Sequence, residues 1–106
     1  MTNHISQIGA VDPRHRGIYD ALTLELTCYA CPEQYDVYLG EALVGYLRLR
    51  HGSFTVEVPD CGGKLVYKAH PEGEGIFMHD ERDFYLDQAR RAIAKELYDN
   101  PYPTHI

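Results

Sequence analysis

Residues 22 to 29 carry the sequence Leu22-Thr23-Leu24-Glu25-Leu26-Thr27-Cys28-Tyr29, in which apolar and polar side chains alternate. A period of two is the period of a β-strand, whose successive side chains point to opposite faces. The alternation therefore predicts a half-buried strand. Its inner face is expected to carry every second residue, namely Leu22, Leu24, Leu26 and Cys28.

Further short strands follow this one and are separated by turn residues. Pro32 ends the first strand, and Gly40-Glu41 and His51-Gly52 are turn sequences. The strands predicted between these breaks cover residues 35–39, 43–50, 54–58 and 65–69. Alternation in the third strand places four residues on one face, namely Leu43, Gly45, Leu47 and Leu49. The connections are too short for crossover helices, so four to five short strands are predicted to form an antiparallel meander.

The C-terminal part of the chain predicts one amphipathic helix, from about Asp80 to Tyr98. Asp80 is a favourable N-cap residue, and Asn100-Pro101 ends the helix. An apolar stripe recurs at helical spacing and consists of Leu86, Ala89, Ile93 and Leu97. This stripe needs an apolar surface to cover it, and the inner face of the sheet is the surface available.

Together these elements predict an α+β fold: an antiparallel meander with one C-terminal helix packed on one sheet face. The sheet residues expected to contact the helix are Leu24, Leu26, Val37, Leu47, Leu49 and Val56. The prediction along the chain is a single domain over 1–106. It has an irregular N-terminal arm over 1–17, the sheet over 18–69, the helix over 79–99 and a tail over 100–106.

Composition narrows the classes of partner. The chain has 106 residues, 44% apolar content and a formal net charge of −6, which disfavours general attraction to nucleic acid or anionic membrane. No apolar run approaches the roughly 20 residues that cross a bilayer. Residues 1–9 have neither the basic nor the apolar region of an export signal. The expected location is the cytoplasm, with no membrane partner.

Three cysteines are candidate metal ligands. Cys28 and Cys31 have the spacing of half a zinc site, which Cys61 and either His70 or His79 would have to complete. A second closely spaced pair is missing, so we predict no bound metal and no cofactor. An odd number of cysteines in a chain without an export signal also predicts reduced thiols rather than a disulfide framework.

Residues 72–87 contain six carboxylates against one cation, Arg82. Carboxylates at the predicted helix start favour the positive end of the helix, and those before it are expected to be solvated loop residues. We therefore predict no acid–base or metal site in this segment.

The outward face of the predicted sheet is a candidate binding surface. Alternation allows this face to be shared by Tyr38, Tyr46, Arg48, Arg50 and Lys68. The surface formed by these five residues is here called the Tyr/Arg face. Aromatic and basic side chains on a strand surface can stack bases and contact phosphates. The same residues suit an ordinary solvent face with cross-strand tyrosine pairs, or a protein contact, because Tyr and Arg are enriched at interfaces.

Four segments of the chain are distinctive as a series. They read Tyr-Asp-Val-Tyr-Leu at 35–39, Gly-Tyr-Leu-Arg-Leu-Arg-His-Gly at 45–52, Pro-Asp-Cys-Gly-Gly at 59–63 and Asp-Glu-Arg-Asp at 80–83. In this order they resemble small, functionally uncharacterised proteins encoded in bacterial and phage or prophage genomes. The likeness covers about residues 35 to 98. It implies a bacterial or mobile-element setting and brings no assigned activity or catalytic residues.

Two classes of function follow. The first is a small non-enzymatic accessory protein that binds another protein or itself. In the latter case we expect a homodimer on the Tyr/Arg face or an exposed strand edge, with Phe84 and Tyr102 as candidate interface residues. Alternatively, Phe84 is covered within its own chain by Ile76 and Phe77, which lie in the loop just before the predicted helix. The second class is a nucleic-acid-binding module that uses the Tyr/Arg face, which the acidic net charge disfavours.

Overall fold

The computed structural model describes residues 9–101, in which strands and helices follow the order expected from the turn residues. The elements are α1 (Arg16–Ala21), β1 (Leu22–Tyr29), β2 (Glu33–Leu39), β3 (Ala42–Arg50), β4 (Ser53–Val58), β5 (Lys64–Ala69) and α2 (Arg82–Asp99). Each strand pairs antiparallel with the next, so the sheet order is β1-β2-β3-β4-β5. The predicted α+β meander with a C-terminal helix packed on the sheet is confirmed. Within residues 9–101, no helix is long and apolar enough to cross a membrane.

The core lies between α2 and one face of the sheet, here called the inner face. Its fully buried side chains are Val37, Leu47, Leu49, Phe54 and Val56 from the sheet and Ala89, Ile93 and Ala94 from α2. Leu24 and Leu86 pack against this core, as predicted. Leu26 does not, because α2 lies over β3, β4 and β5, and Leu26 on β1 is 52% exposed.

Two β-bulges reverse the faces that alternation predicts. Residues directly opposite each other in a sheet share a face. The β1–β2 register shifts after Leu26, which places Cys28 opposite Gln34 on the outer face. The β2–β3 register shifts after Val37, which places Leu43 opposite Tyr38 on the outer face. The inner-face predictions for Cys28 and Leu43 are therefore wrong, because each bulge inserts one extra residue into a strand.

The sequence pattern does not predict the N-terminal helix α1, whose residues fall in the predicted irregular arm and at the start of the predicted sheet. Six residues are too few to show helical periodicity, and so short a helix depends on tertiary contacts. The Tyr19 hydroxyl donates a hydrogen bond to Asp87 of α2. Arg90 Nη1 of α2 donates to the Leu22 carbonyl, 2.9 Å away, at the junction of α1 and β1. Both contacts hold the start of β1 against α2.

The helix α2 begins at Arg82, with Glu81 rather than Asp80 as its N-cap residue. The Glu81 side chain makes no cap hydrogen bond to the helix. Its buried carboxylate accepts hydrogen bonds from the backbone N–H groups of Glu72, Gly73 and Met78, each 2.9 Å away. The prediction for Asp80 is wrong because this carboxylate organises the preceding loop and thereby sets where the helix starts.

A second buried carboxylate joins that loop to the sheet. Glu33 lies on the inner face of β2 and is 2% exposed. Its oxygens accept hydrogen bonds from Arg82 Nε at 2.8 Å, the Tyr35 hydroxyl at 2.5 Å and the Phe77 N–H at 2.9 Å. The ring of Phe77 packs in the core 5.0 Å from that of Phe54. Glu33 therefore connects β2, the loop and the first residue of α2.

We predict an energetic coupling between Gly45 and Ile93. A Cβ on Gly45 would lie 2.6 Å from Ile93 Cδ1, so Gly45→Ala should destabilise the fold by about 1–3 kcal/mol. Ile93→Val removes Cδ1, and Gly45→Ala should cost less in that background. Urea denaturation of the four proteins measures the coupling. Gly17→Ala, whose Cβ meets open space, is the control. An equal cost of Gly45→Ala in both backgrounds would contradict the prediction.

A pH dependence is expected from Glu33. Burial acts to raise the pKa of Glu33, but the hydrogen bonds from Arg82, Tyr35 and Phe77 outweigh it, and the pKa lies below the ordinary value of 4.5. The stabilisation is therefore complete above about pH 4.5 and decreases as the pH falls through the folded-state pKa. Glu33→Gln should lower the free energy of unfolding by about 1.5–3 kcal/mol near neutral pH.

Urea denaturation of wild type and Glu33→Gln at several pH values checks this expectation. The difference between the two proteins should be constant above about pH 4.5 and should shrink below it. Glu41→Gln, in the exposed β2–β3 turn, is the matched control and should change neither quantity. A difference between wild type and Glu33→Gln that does not vary with pH would rule out this role of the carboxylate.

Candidate binding surfaces

The five residues proposed for the Tyr/Arg face all lie on the outer face, opposite α2. Opposed residues form two rows across it. The first row runs Cys28–Gln34–Arg48–Thr55–Lys68, and the second runs Glu25–Asp36–Tyr46–Glu57–Leu65. Tyr38 lies opposite Leu43, and Arg50 lies opposite Ser53. The sequence pattern thus identified residues that do share a face.

The second row adds negative charges to the outer face, which therefore carries charges of both signs. Its carboxylates, Glu25, Asp36 and Glu57, are here called the carboxylate row. Burial raises the pKa of Asp36, and the negative charges of Asp60 and Glu25 raise it further. Arg48 and Lys68 lie in the neighbouring row, so the outer face does not present a continuous positive stripe to a phosphate backbone.

Tyr46 is not available as a stacking platform. Its side chain is 9% exposed although it faces away from α2. Burial raises the pKa of its hydroxyl, whereas the positive charge of Arg48 acts to lower it. A base needs an open ring face on which to stack, and Tyr46 does not offer one.

The candidate metal ligands do not come together. Successive turns of a meander lie at alternate ends of the sheet, so Cys31 in the β1–β2 turn and Cys61 in the β4–β5 turn are at opposite ends. No group of three or more metal-binding side chains occurs in the part of the chain that the structure describes, Cys28 and His79 included. The absence of bound zinc stays a prediction.

Cys31 lines a cleft at one end of the sheet. The cleft has a volume of about 280 Å³, and its other lining residues are Arg50, His51, Glu74 and Gly75. Cys31 and His51 have positive φ angles of 50° and 53°, a conformation that is uncommon outside glycine. The Cys31 N–H donates to the Gly75 carbonyl, 2.7 Å away, so the 70–81 loop closes one side of the cleft.

Of the two candidate interface residues, the structure describes Phe84 but not Tyr102. Phe84 is half-buried, and its ring lies edge-on to that of Tyr85, with centroids 5.0 Å apart. Phe77, proposed as one of its covers, is itself buried in the core. Tyr102 lies outside the described residues, so its role at an interface stays a prediction.

The outer edge of β1 is a surface that the sequence pattern did not single out. Among the strands of residues 9–101, β1 pairs with β2 alone. Within residues 9–101, no backbone hydrogen bond from outside the β1–β2 pair reaches residues 23 to 29. Leu26 and Tyr29 lie on the inner face at this edge and are 52% and 74% exposed. β1 therefore offers free backbone groups together with uncovered apolar side chains.

The opposite edge, β5, is protected where β1 is not. Lysine side chains on an edge strand discourage pairing with another strand. β5 carries Lys64 and Lys68, and Lys64 Nζ forms an ion pair with Glu96 of α2 at 3.1 Å. β1 is longer, with eight residues against six, and it contains no lysine, arginine or proline. Both strands have a bulge, so charge and length distinguish the two edges.

Sequence reasoning missed the Glu33 junction, and it named an exposed strand edge as a candidate interface without identifying β1. A signal for the junction was present, because Glu33 alternates with Tyr35 and Val37 on the inner face and Arg82 is the one cation of residues 72–87. A charged inner position requires a cation. The edge position of β1 follows from the predicted meander, but the exposure of its inner-face side chains depends on which strands α2 covers.

The chain was compared with protein-family models, with curated proteins and with solved structures, and none of these comparisons found a match. The resemblance to small proteins of bacterial and phage or prophage genomes therefore stays a prediction.

We predict that nucleic acid binds only weakly at physiological salt, with a dissociation constant above about 1 µM. The carboxylate row repels phosphates, and Tyr46 is buried. Fluorescence anisotropy with labelled duplex DNA and single-stranded RNA measures the affinity. Submicromolar binding that Arg48→Ala plus Arg50→Ala abolishes, and that the β5 variant Lys64→Ala leaves intact, would establish the opposite.

Proposed function

We propose that this chain is a small non-enzymatic accessory protein, of bacterial or mobile-element origin, that binds another protein by adding one of its strands to the β1 edge. The single observation that carries the proposal is the unprotected edge of β1. The proposed origin rests on the resemblance of residues 35 to 98 to small proteins of bacterial and phage or prophage genomes.

Strand addition uses two features that β1 combines. Backbone groups at a free sheet edge supply hydrogen bonds to an incoming strand, and alternate side chains give selectivity. The free edge supplies the first feature. Leu24, Leu26 and Tyr29 supply the second, because they form an apolar strip on the inner face that α2 leaves partly uncovered.

The β1 edge is also held in place before a partner arrives. β2 pairs with β1 from Leu22 to Tyr29. Arg90 fixes the Leu22 carbonyl, and Tyr19 joins α1 to Asp87 of α2. An edge that is already ordered loses little conformational entropy on binding, which favours affinity.

The apolar strip continues into a cleft beside α2. The cleft has a volume of about 320 Å³ and is lined by Tyr19, Leu24, Tyr35, Asp83, Leu86, Asp87 and Arg90. A side chain of an added strand that points to the inner face would lie near Leu24, one of the residues that line this cleft. The cleft therefore supports a partner strand with apolar residues on that side.

The test is a selection for peptides that bind wild type, from a displayed library of random peptides. We expect the selected sequences to alternate apolar and polar residues and to slow hydrogen exchange at the backbone amides of β1. Leu26→Lys should weaken binding at least about tenfold, because a lysine on an edge strand opposes pairing.

Leu65→Lys on β5 is the matched control, since Leu65 is 50% exposed and Leu26 is 52% exposed. It should leave binding unchanged. Peptides that bind equally to wild type and Leu26→Lys, or that protect β5 instead of β1, would refute strand addition at β1.

Self-association is the second use of the same edge. A two-fold pairing of two β1 strands would give the homodimer expected from the sequence. Sedimentation of wild type and Leu26→Lys at tens of micromolar distinguishes the two occupants. A wild-type dimer that Leu26→Lys dissociates would identify a second copy as the occupant of β1.

A further inference from the structure

We infer that the partner strand carries a lysine or arginine opposite Glu25, flanked by apolar residues. This inference rests on the proposed strand addition at β1 and names the chemistry of the partner. It follows from the charges along the carboxylate row and from the side chains on either side of Glu25.

The carboxylate row has an open position at its β1 end. Glu25 of β1 lies directly opposite Asp36 of β2, and like charges in that arrangement destabilise a sheet. No cation of residues 9–101 forms an ion pair with either carboxylate. The next position in the row, beyond Glu25, belongs to a strand added at the β1 edge. A cation at that position would stabilise the row.

The surrounding sequence supplies no cation for this purpose. Residues 22–39, which form β1, β2 and their turn, contain no lysine, arginine or histidine. The outer-face cations Arg48 and Lys68 lie on β3 and β5, in the neighbouring row. The negative charge of Glu25 also contributes to the raised pKa of Asp36, together with burial and Asp60. Since no cation of the described residues fills this position, we assign the missing cation to the partner.

The inner face fixes the residues on either side of that cation. Leu24 and Leu26 flank Glu25 and point to the inner face, opposite Val37 and Tyr35. In the added strand, the residues on either side of the cation would point to the inner face and contact Leu24 and Leu26. The partner segment is therefore an extended strand with the pattern apolar–basic–apolar.

A second copy of this chain fits less well. If two β1 strands pair, the outer-face residue opposite Glu25 is threonine, glutamate or cysteine, because β1 contains no cation. The β5 strand of a second copy offers Lys68 between Tyr67 and Ala69. Pairing of β5 with β1 is heterologous, however, and in general repeats without closing into a defined complex. A separate protein partner satisfies the charge without this consequence.

The test uses three end-blocked, labelled peptides of about nine residues, a usual strand length. The first alternates valine with lysine, the second alternates valine with glutamate, and the third has the composition of the first with its lysines consecutive. At low ionic strength we expect wild type to bind the first about tenfold more tightly than the others. Glu25→Lys should reverse the preference toward the glutamate peptide.

Glu41→Lys is the matched control, because it makes the same charge change in the exposed β2–β3 turn. It should keep the preference for the alternating lysine peptide. Equal binding of the alternating and consecutive lysine peptides would show general charge attraction and would overturn the inference. So would an equal loss of binding in Glu25→Lys and Glu41→Lys.

The remaining outcomes separate this inference from the proposed function. Equal binding of the lysine and glutamate peptides at β1, shown by slowed amide exchange there, would refute the charge requirement and keep strand addition. Failure of all three peptides and of the selected peptides to protect β1 would refute both. Wild-type polymers that Lys68→Glu disperses would identify β5 of a second copy as the occupant and would refute a separate partner.

Discussion

The Glu33 carboxylate is the interaction on which the arrangement of this molecule depends. A carboxylate on the inner face of a strand is strongly unfavourable unless charge and hydrogen bonds compensate for its burial. Arg82, Tyr35 and the Phe77 N–H provide that compensation. Because Arg82 is the first residue of α2, satisfying Glu33 also places the helix on the sheet. Because Phe77 belongs to the loop, the same bonds carry its ring into the core.

The position of α2 in turn determines what the sheet leaves open. The helix lies over β3, β4 and β5, and α1 with Arg90 holds the start of β1. The inner face of β1 beyond Leu24 is left with little cover, so Leu26 and Tyr29 are exposed beside a free edge. On the other side of the sheet, the carboxylate row runs to that same edge. The strand order, the register and the helix position thus together bring backbone groups, negative charge and apolar surface to one strand.

The sequence was sufficient for the fold and for part of the candidate surfaces. Alternation and turn residues are local signals, so the order of strands, the meander and the C-terminal helix could be predicted. The faces of Cys28 and Leu43 could not, because a bulge depends on how two strands align. Glu33 and Arg82 are far apart in the chain, and no periodic pattern joins them. The outer-face residues followed from alternation and the edge position of β1 from the meander, whereas the exposed inner face of β1 required the position of α2.

The meander has a consequence for the order in which the chain folds. Every strand pairs with its neighbour in sequence, so the sheet can be assembled from successive hairpins that close short loops. Short loops carry a small entropic cost, and topologies rich in local contacts fold quickly. The bonds from Glu33 to Phe77 and Arg82 instead close a long segment that contains β3, β4 and β5. We therefore expect the β1 edge of a nascent chain to be exposed on the sheet before the C-terminal helix is in place.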